Sequence, residues 1–171
     1  MLKNKLLPTI VLTSICIVVA LVLAVANAFT APVIEKAQQE KVAEALRVVY
    51  PAGDSFESID LSGRSLPQSI TEAYSVNDGG FVFKAEVKGY KDGLVIMIGV
   101  NANGAITDTK YVESNETNGA EDMLDGAYNG QSADTLNGVI IGGSTKTSNG
   151  YKQAVSDALD AYASLKGDNA Q

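Results

Sequence analysis

The sequence predicts an α+β fold, in which an N-terminal transmembrane helix is followed by a small domain with an antiparallel sheet and flanking helices. Three observations predict it. An uncharged apolar run opens the chain, runs of strand character separated by hairpin-turn residues fill its middle, and a stripe of apolar residues at helical spacing closes it.

The opening run is the plainest element. No charged residue occurs from Leu6 to Ile34, and thirteen residues between Leu6 and Ala26 are Leu, Ile or Val. A helix rising about 1.5 Å per residue over such a stretch covers the hydrocarbon core of a bilayer. At a few tenths of a kcal/mol per central aliphatic residue, insertion gains about 5 kcal/mol at most, reduced by Pro8, Thr9, Thr13 and Ser14. Lys3 and Lys5 flank its short side, which keeps residues 1–5 in the cytoplasm and exports everything after Phe29. Ala26-Asn27-Ala28 also fits a signal-peptidase site, but the run exceeds the roughly 7–15 residues of a cleavable segment, so residues 6–28 read as a retained anchor in contact with membrane lipid. Cys16, preceded by Ile15 where a lipoprotein site needs a small residue, reads as a buried apolar thiol.

Beyond Pro32, Val33, Ile34, Ala37, Val42, Ala45, Leu46 and Val49 recur at helical spacing between charged and amide residues, and the pattern stops before Pro51. Residues 29–50 are therefore expected to form a stalk helix, and 51–171 the extracytoplasmic domain. Pro51 to Ser69 is turn-rich and reads as irregular. Gly80 to Gly89, Leu94 to Val100 and Ile106 to Val112 form a predicted three-strand meander, joined by Lys91-Asp92-Gly93 and Asn101-Ala102-Asn103-Gly104. A short helix is expected over 121–128 and a short buried strand over 139–141. A final helix over 149–166 would bury Tyr151, Ala154, Val155, Ala158, Leu159 and Tyr162, with a frayed tail after Gly167.

Composition removes several function classes. The chain has no His and one Cys, which excludes His or Cys metal clusters, disulfides and His-based catalytic triads. Of its 13 basic residues, Lys3 and Lys5 belong to the leader, leaving 11 against 20 acidic ones, so nucleic acid is not an expected partner. Glu113, Glu116, Glu121, Asp122 and Asp125 lack EF-hand spacing and read as a solvated acidic face, and Asn115-Glu116-Thr117 matches a glycosylation tripeptide that arises often by chance.

One segment has the character of a site. Gly142-Gly143-Ser144-Thr145-Lys146-Thr147-Ser148 lies between the predicted last strand and last helix, where unpaired N–H groups and the positive helix end favour a phosphate. That field is worth only about 0.3–1 kcal/mol at an exposed position, too little to retain a ligand outside the cell. Gly138 to Gly143 has the glycine spacing of an NTPase loop, but Ser144 stands where that loop needs lysine. A plain strand-to-helix turn capped by Thr147 or Ser148 accounts for the pattern equally.

The same segment resembles the Ser/Thr-Gly-Ala-Thr-x-Thr-Ser motif of the FMN-binding domain shared by the G subunit of the Rnf ion-translocating electron transport complex and the C subunit of the sodium-pumping NADH:quinone reductase. Glu113 to Gly119 resembles the family's Glu-Thr-Pro-Gly-Leu-Gly segment. Gly89-Tyr90 with Leu94 to Val100 resembles its Gly-Tyr strand and the apolar strand after it, and Tyr50-Pro51-Ala52-Gly53 its aromatic-Pro turn. Gly142, Ser144, Val139, Asn118 and Ala120 depart from the family's residues, whereas the attachment threonine is kept at Thr145. The resemblance implies FMN joined through its phosphate to Thr145 by a flavin transferase, with Gly142, Gly143, Ser144, Thr147, Ser148, Glu116, Thr117 and Gly119 near the cofactor. It also implies an electron-relay subunit, without turnover of its own, among the other subunits of an Rnf-type ferredoxin:NAD oxidoreductase. An anchored binding or adhesion module without flavin, and a standalone extracellular flavin shuttle, are the alternative expectations.

Overall fold

The computed structural model describes residues 3–114, 119, 122, 124–136 and 145–168, apart from the side chains of 3–9, 33–35, 38 and 168. The expected strand over 139–141 and the tail beyond 168 lie outside the described residues. The chain divides into two units, Met1–Lys41 and Val42–Gln171.

The first unit is formed by helix α1, Lys3–Val49, which runs through both the expected span and the expected stalk. Within it, Ile10–Pro32 is long and apolar enough to cross a membrane. Aliphatic side chains point outward all round this stretch, and Cys16, expected to be buried, is exposed with them. The hydroxyls of Ser14 and Thr30 donate back to the carbonyls of Ile10 and Ala26, both at 2.8 Å, so these polar groups are satisfied within the helix, as an apolar solvent requires. Ala37, expected on a buried face, is exposed. Among the described side chains, Val42, Ala45, Leu46 and Val49, in the part of α1 that belongs to the second unit, pack into a core cluster of that unit.

The second unit is built on a five-stranded antiparallel meander in sequence order: β1 Phe56–Ile59, β2 Ile70–Val76, β3 Phe81–Val87, β4 Leu94–Val100 and β5 Ile106–Glu113. The last three strands match the sequence expectation. Gly93 and Gly104 take the positive φ that the two expected turns demand, 87° and 82°. β1 and β2 were not expected. β2 carries a bulge between Ile70 and Glu72, so its buried residues Ile70, Ala73 and Val76 fall three apart and lose the alternation that marks a strand. β1 is a short, half-buried edge within the stretch that reads as irregular.

β4 is buried at every position because both faces of the sheet are covered. Leu94, Ile96, Ile98 and Val100 join Phe81, Phe83 and Ala85 under helix α2, Thr145–Asp168. Met97 and Val82 face the other way, against Ala45, Leu46, Val49 and Tyr50. α2 starts four residues earlier than expected and buries all six predicted residues together with Ala161 and Leu165.

Residues 124–130 are turns rather than part of the helix expected over 121–128. Gly126 adopts φ 70° and gives its N–H to the carbonyl of Thr109 on β5 (3.2 Å) instead of closing a helical turn. Gly130 N donates to Ile106 O and Ile106 N to Gln131 O, both at 2.8 Å, so this segment covers the β5 edge while Leu124 and Tyr128 enter the core.

Candidate functional site

α2 opens at Thr145 with no acidic residue in its first turn, and the start of a helix carries the positive end of its dipole. Thr145 and Lys146 are exposed, Ser148 is half-buried and Thr147 is 0 % exposed. The division follows the helical period: Thr147 shares a face with Gly150, Tyr151 and Ala154, all turned to the core, which leaves Thr145 and Lys146 outside. Neither Thr147 nor Ser148 caps the helix, since both lie inside it.

Gly150 lets this turn approach the end of β3. A Cβ there would stand 2.5 Å from the Lys88 carbonyl oxygen and 3.3 Å from Gly89 Cα. The next residue, Tyr90, is 58 % exposed, and the Lys146 ammonium lies 5.4 Å from its ring centroid, within cation–π reach. The exposed Thr145 hydroxyl is therefore followed in the chain by a cation held over an aromatic ring on the β3–β4 turn.

A carboxylate ties this part of α2 to β5. Asp125 Oδ1 accepts from the Tyr151 hydroxyl at 2.9 Å and from Tyr111 N at 3.0 Å, and Oδ2 accepts from Lys110 Nζ at 2.6 Å. With its side chain 17 % exposed, Asp125 is no part of a solvated acidic face, although Glu113 and Asp122 are exposed as expected. Glu116 and Glu121 lie outside the described residues. Burial, reinforced by the Asp125 charge, pushes the Tyr151 phenol far above its ordinary value, so it remains a donor. The Tyr128 ring stacks on it, 6.0 Å between centroids and 10° between planes. A hydrogen bond to Asp125 raises Lys110, and one to Asp122 raises Tyr111.

Asp122 N in turn donates to the carbonyl of Gly119 (3.2 Å), which sits in a turn at φ 62°. A chain of hydrogen bonds thus runs from Gly119 through Asp122, Tyr111 and Asp125 to Tyr151 on α2. It joins the end of one motif-bearing segment to the helix that begins with the other. Thr145, Thr147 and Ser148 share the first turn of α2, and Gly119 belongs to this network. Gly142, Gly143, Ser144, Glu116 and Thr117 lie outside the described residues, as do Asn115, Asn118, Ala120 and Val139.

The described residues suit a phosphorylated group at Thr145: an exposed threonine at the positive end of a helix and a neighbouring ammonium. The FMN-binding domain family matches residues 89–160, from Gly89 through most of α2. The chain is 29 % identical over 165 residues to the G subunit of a Na(+)-translocating ferredoxin:NAD(+) oxidoreductase complex of Acetobacterium woodii, covering 85 % of this chain and 79 % of that one. It is 24 % identical over 175 residues to the G subunit of a proton-translocating ferredoxin:NAD(+) oxidoreductase complex of Clostridium ljungdahlii, covering 91 % and 90 %.

Sequence reasoning missed two features here. Asp125 resembles any surface acid until the fold brings Lys110, Tyr111 and Tyr151 to it. The Lys146 and Tyr90 pairing joins residues 56 positions apart, and its one sequence signal is that each falls within a motif-like segment.

Proposed function

We propose that this chain, an FMN-binding subunit of the Rnf G type, relays electrons within a membrane-bound ion-translocating ferredoxin:NAD oxidoreductase, with FMN covalently attached to Thr145. The observation that carries the attachment is the exposed Thr145 hydroxyl at the first position of α2, within a segment matching the FMN-binding domain. In this reading the Thr145 oxygen would take the flavin's ribityl phosphoryl group from an activated flavin nucleotide, whose phosphoanhydride bond breaks as its nucleotide phosphate leaves and the hydroxyl proton is lost, giving a phosphodiester, with a transferase carrying out the transfer during maturation. The positive end of the helix and the Lys146 ammonium balance the remaining negative charge. Thr147 supports the turn from inside, while Gly142, Gly143, Ser144, Ser148, Glu116, Thr117 and Gly119 surround the cofactor. When bound, the flavin supplies the electron chemistry, and the protein supplies position and tuning.

A covalent bond answers the weakness of the helix-end field. A tethered group keeps a high effective concentration at its seat however shallow the contacts, which an exported domain needs and an electron carrier with an accessible ring can use. Residues 6–28 cross the membrane, residues 1–5 remain in the cytoplasm and 51–171 form the extracytoplasmic domain, where the other subunits of the complex meet it.

Expression in membranes together with a flavin transferase tests the reading. The wild-type band on a denaturing gel fluoresces yellow-green and its intact mass includes one FMN, whereas Thr145→Val loses both; fluorescence persisting in that variant overturns the attachment. Co-purification with polytopic subunits separates a complex subunit from a standalone shuttle.

A further inference from the structure

The other end of α2 carries a cleft that the relay reading does not use. It has a volume of about 390 Å³, within the range of small-molecule sites. Ile59, Val76, Phe81 and Leu165 form its apolar wall, drawn from β1, β2, β3 and the last turn of α2. Phe81 is braced edge-on by Tyr162, 5.8 Å between centroids at 77°. Gly79 and Gly80 also line the space.

The two charged residues lining the cleft, Arg64 and Lys166, are both cationic, in a chain with 20 acidic and 13 basic residues. Lys166 Nζ donates to the Tyr162 hydroxyl at 2.6 Å and to the Ala102 carbonyl. Both acceptors are neutral, and among the described residues no carboxylate offsets this ammonium. Arg64 donates through Nε to the Asp60 carbonyl at 3.2 Å, and the Asp60 carboxylate, whose Oδ1 accepts from the Ser62 N–H at 2.9 Å, also acts on the Arg64 charge. Twenty residues of helix separate Thr145 from Leu165, about 30 Å, further than a phosphate-tethered flavin extends. The cleft is therefore independent of the Thr145 end.

From this geometry we infer that the cleft is a second ligand site, which takes a small organic anion: a carboxylate or phosphate monoester on a flat apolar body. The anion is held by Lys166 and Arg64, and the body lies against Phe81, Leu165, Gly79 and Gly80. The apolar wall supplies burial and the cations select charge.

The test uses the full chain in detergent, produced without a transferase so that no flavin is attached, and follows the fluorescence anisotropy of 2-naphthoate. Saturable binding is expected. It weakens about tenfold in Arg64→Gln and again in Arg64→Gln/Lys166→Gln, as loss of charge-assisted bonds implies. Ser75→Tyr, which fills the cleft and leaves both cations in place, abolishes it, with circular dichroism checking that each variant is folded. Thr145→Val binds as the wild type does. The neutral 2-naphthalenemethanol competes at least about tenfold less well. Non-saturating signal, unchanged affinity in the double variant or in Ser75→Tyr, or an altered affinity in Thr145→Val each overturns the inference. Displacement of 2-naphthoate by inorganic phosphate at equal concentration overturns the part assigned to the apolar body.

Discussion

Helices α1 and α2 both carry aliphatic side chains and use them in opposite ways. In α1, Leu21 is 61 % exposed, one of a set of aliphatic residues pointing outward all round Ile10–Pro32, whereas in α2 Leu159 is 4 % exposed on a stripe that also holds Tyr151, Val155 and Tyr162. A helix that is apolar on every side has no preferred inner face and suits an apolar solvent; a helix with one apolar stripe suits a sheet. The difference lies both in how many apolar residues there are, 18 of 23 in Ile10–Pro32 against 9 of 24 in α2, and in how they are arranged around the axis.

The strongest way to break this comparison is to make one substitution in both helices. Leu159→Ala removes core packing and should cost about 2–5 kcal/mol in denaturant unfolding of the domain, while Leu21→Ala should stay within about 0.5 kcal/mol in the same measurement. Equal losses would mean that Leu21 packs against protein. Asp125→Asn comes next, because it weakens three hydrogen bonds, two of them to β5 and one to α2, and has no counterpart in α1. A loss of about 2 kcal/mol is expected, with faster exchange of the Tyr111 amide.

Acid sharpens the contrast further. The Ile10–Pro32 stretch contains no carboxylate, whereas Glu72 on β2 is paired with Lys84 at 2.7 Å. Burial pulls Glu72 upward, but hydrogen bonds from Lys84 and Tyr74 outweigh it and hold its carboxyl below the ordinary value. A depressed folded value makes this contribution fully present above the unfolded pKa of about 4.3 and lost as pH falls through the lower folded one. The sheet domain should therefore lose stability below about pH 4.3, with a shallower slope in Glu72→Gln, while the helicity of α1 in detergent stays constant. The smallest effect is expected from Thr145→Val without a transferase. An exposed first-turn residue should change unfolding stability by less than about 0.5 kcal/mol, which separates its proposed chemical role from a structural one.

Legibility followed local pattern. The apolar run, strands β3 to β5 and the buried face of α2 could be read because burial imposes period 2 on a strand, a stripe on a helix, and an unbroken apolar run on a strand covered on both faces such as β4. β2 was lost because its bulge moves the buried positions to a spacing of three, and β1 because its four edge residues, two half-buried and two exposed, carry little pattern. Of the candidate site, Thr145 could be singled out in the sequence because its motif is contiguous. Thr147, expected beside the cofactor, is buried, because the helix begins at Thr145 and its period turns the third residue inward.

By itself the sequence determined that a membrane-length apolar helix precedes an acidic α+β domain, and that a threonine stands before a long amphipathic helix. These properties depend on residues adjacent in the chain. Only the tertiary structure decided that Asp125 joins β5 to α2, that Lys146 lies over Tyr90, and that Arg64 and Lys166 share one apolar cleft. Each of those contacts brings together residues separated by 14 to 102 positions along the chain. No local spacing encodes them, because the free energy that selects them comes from packing the sheet between its two helical covers.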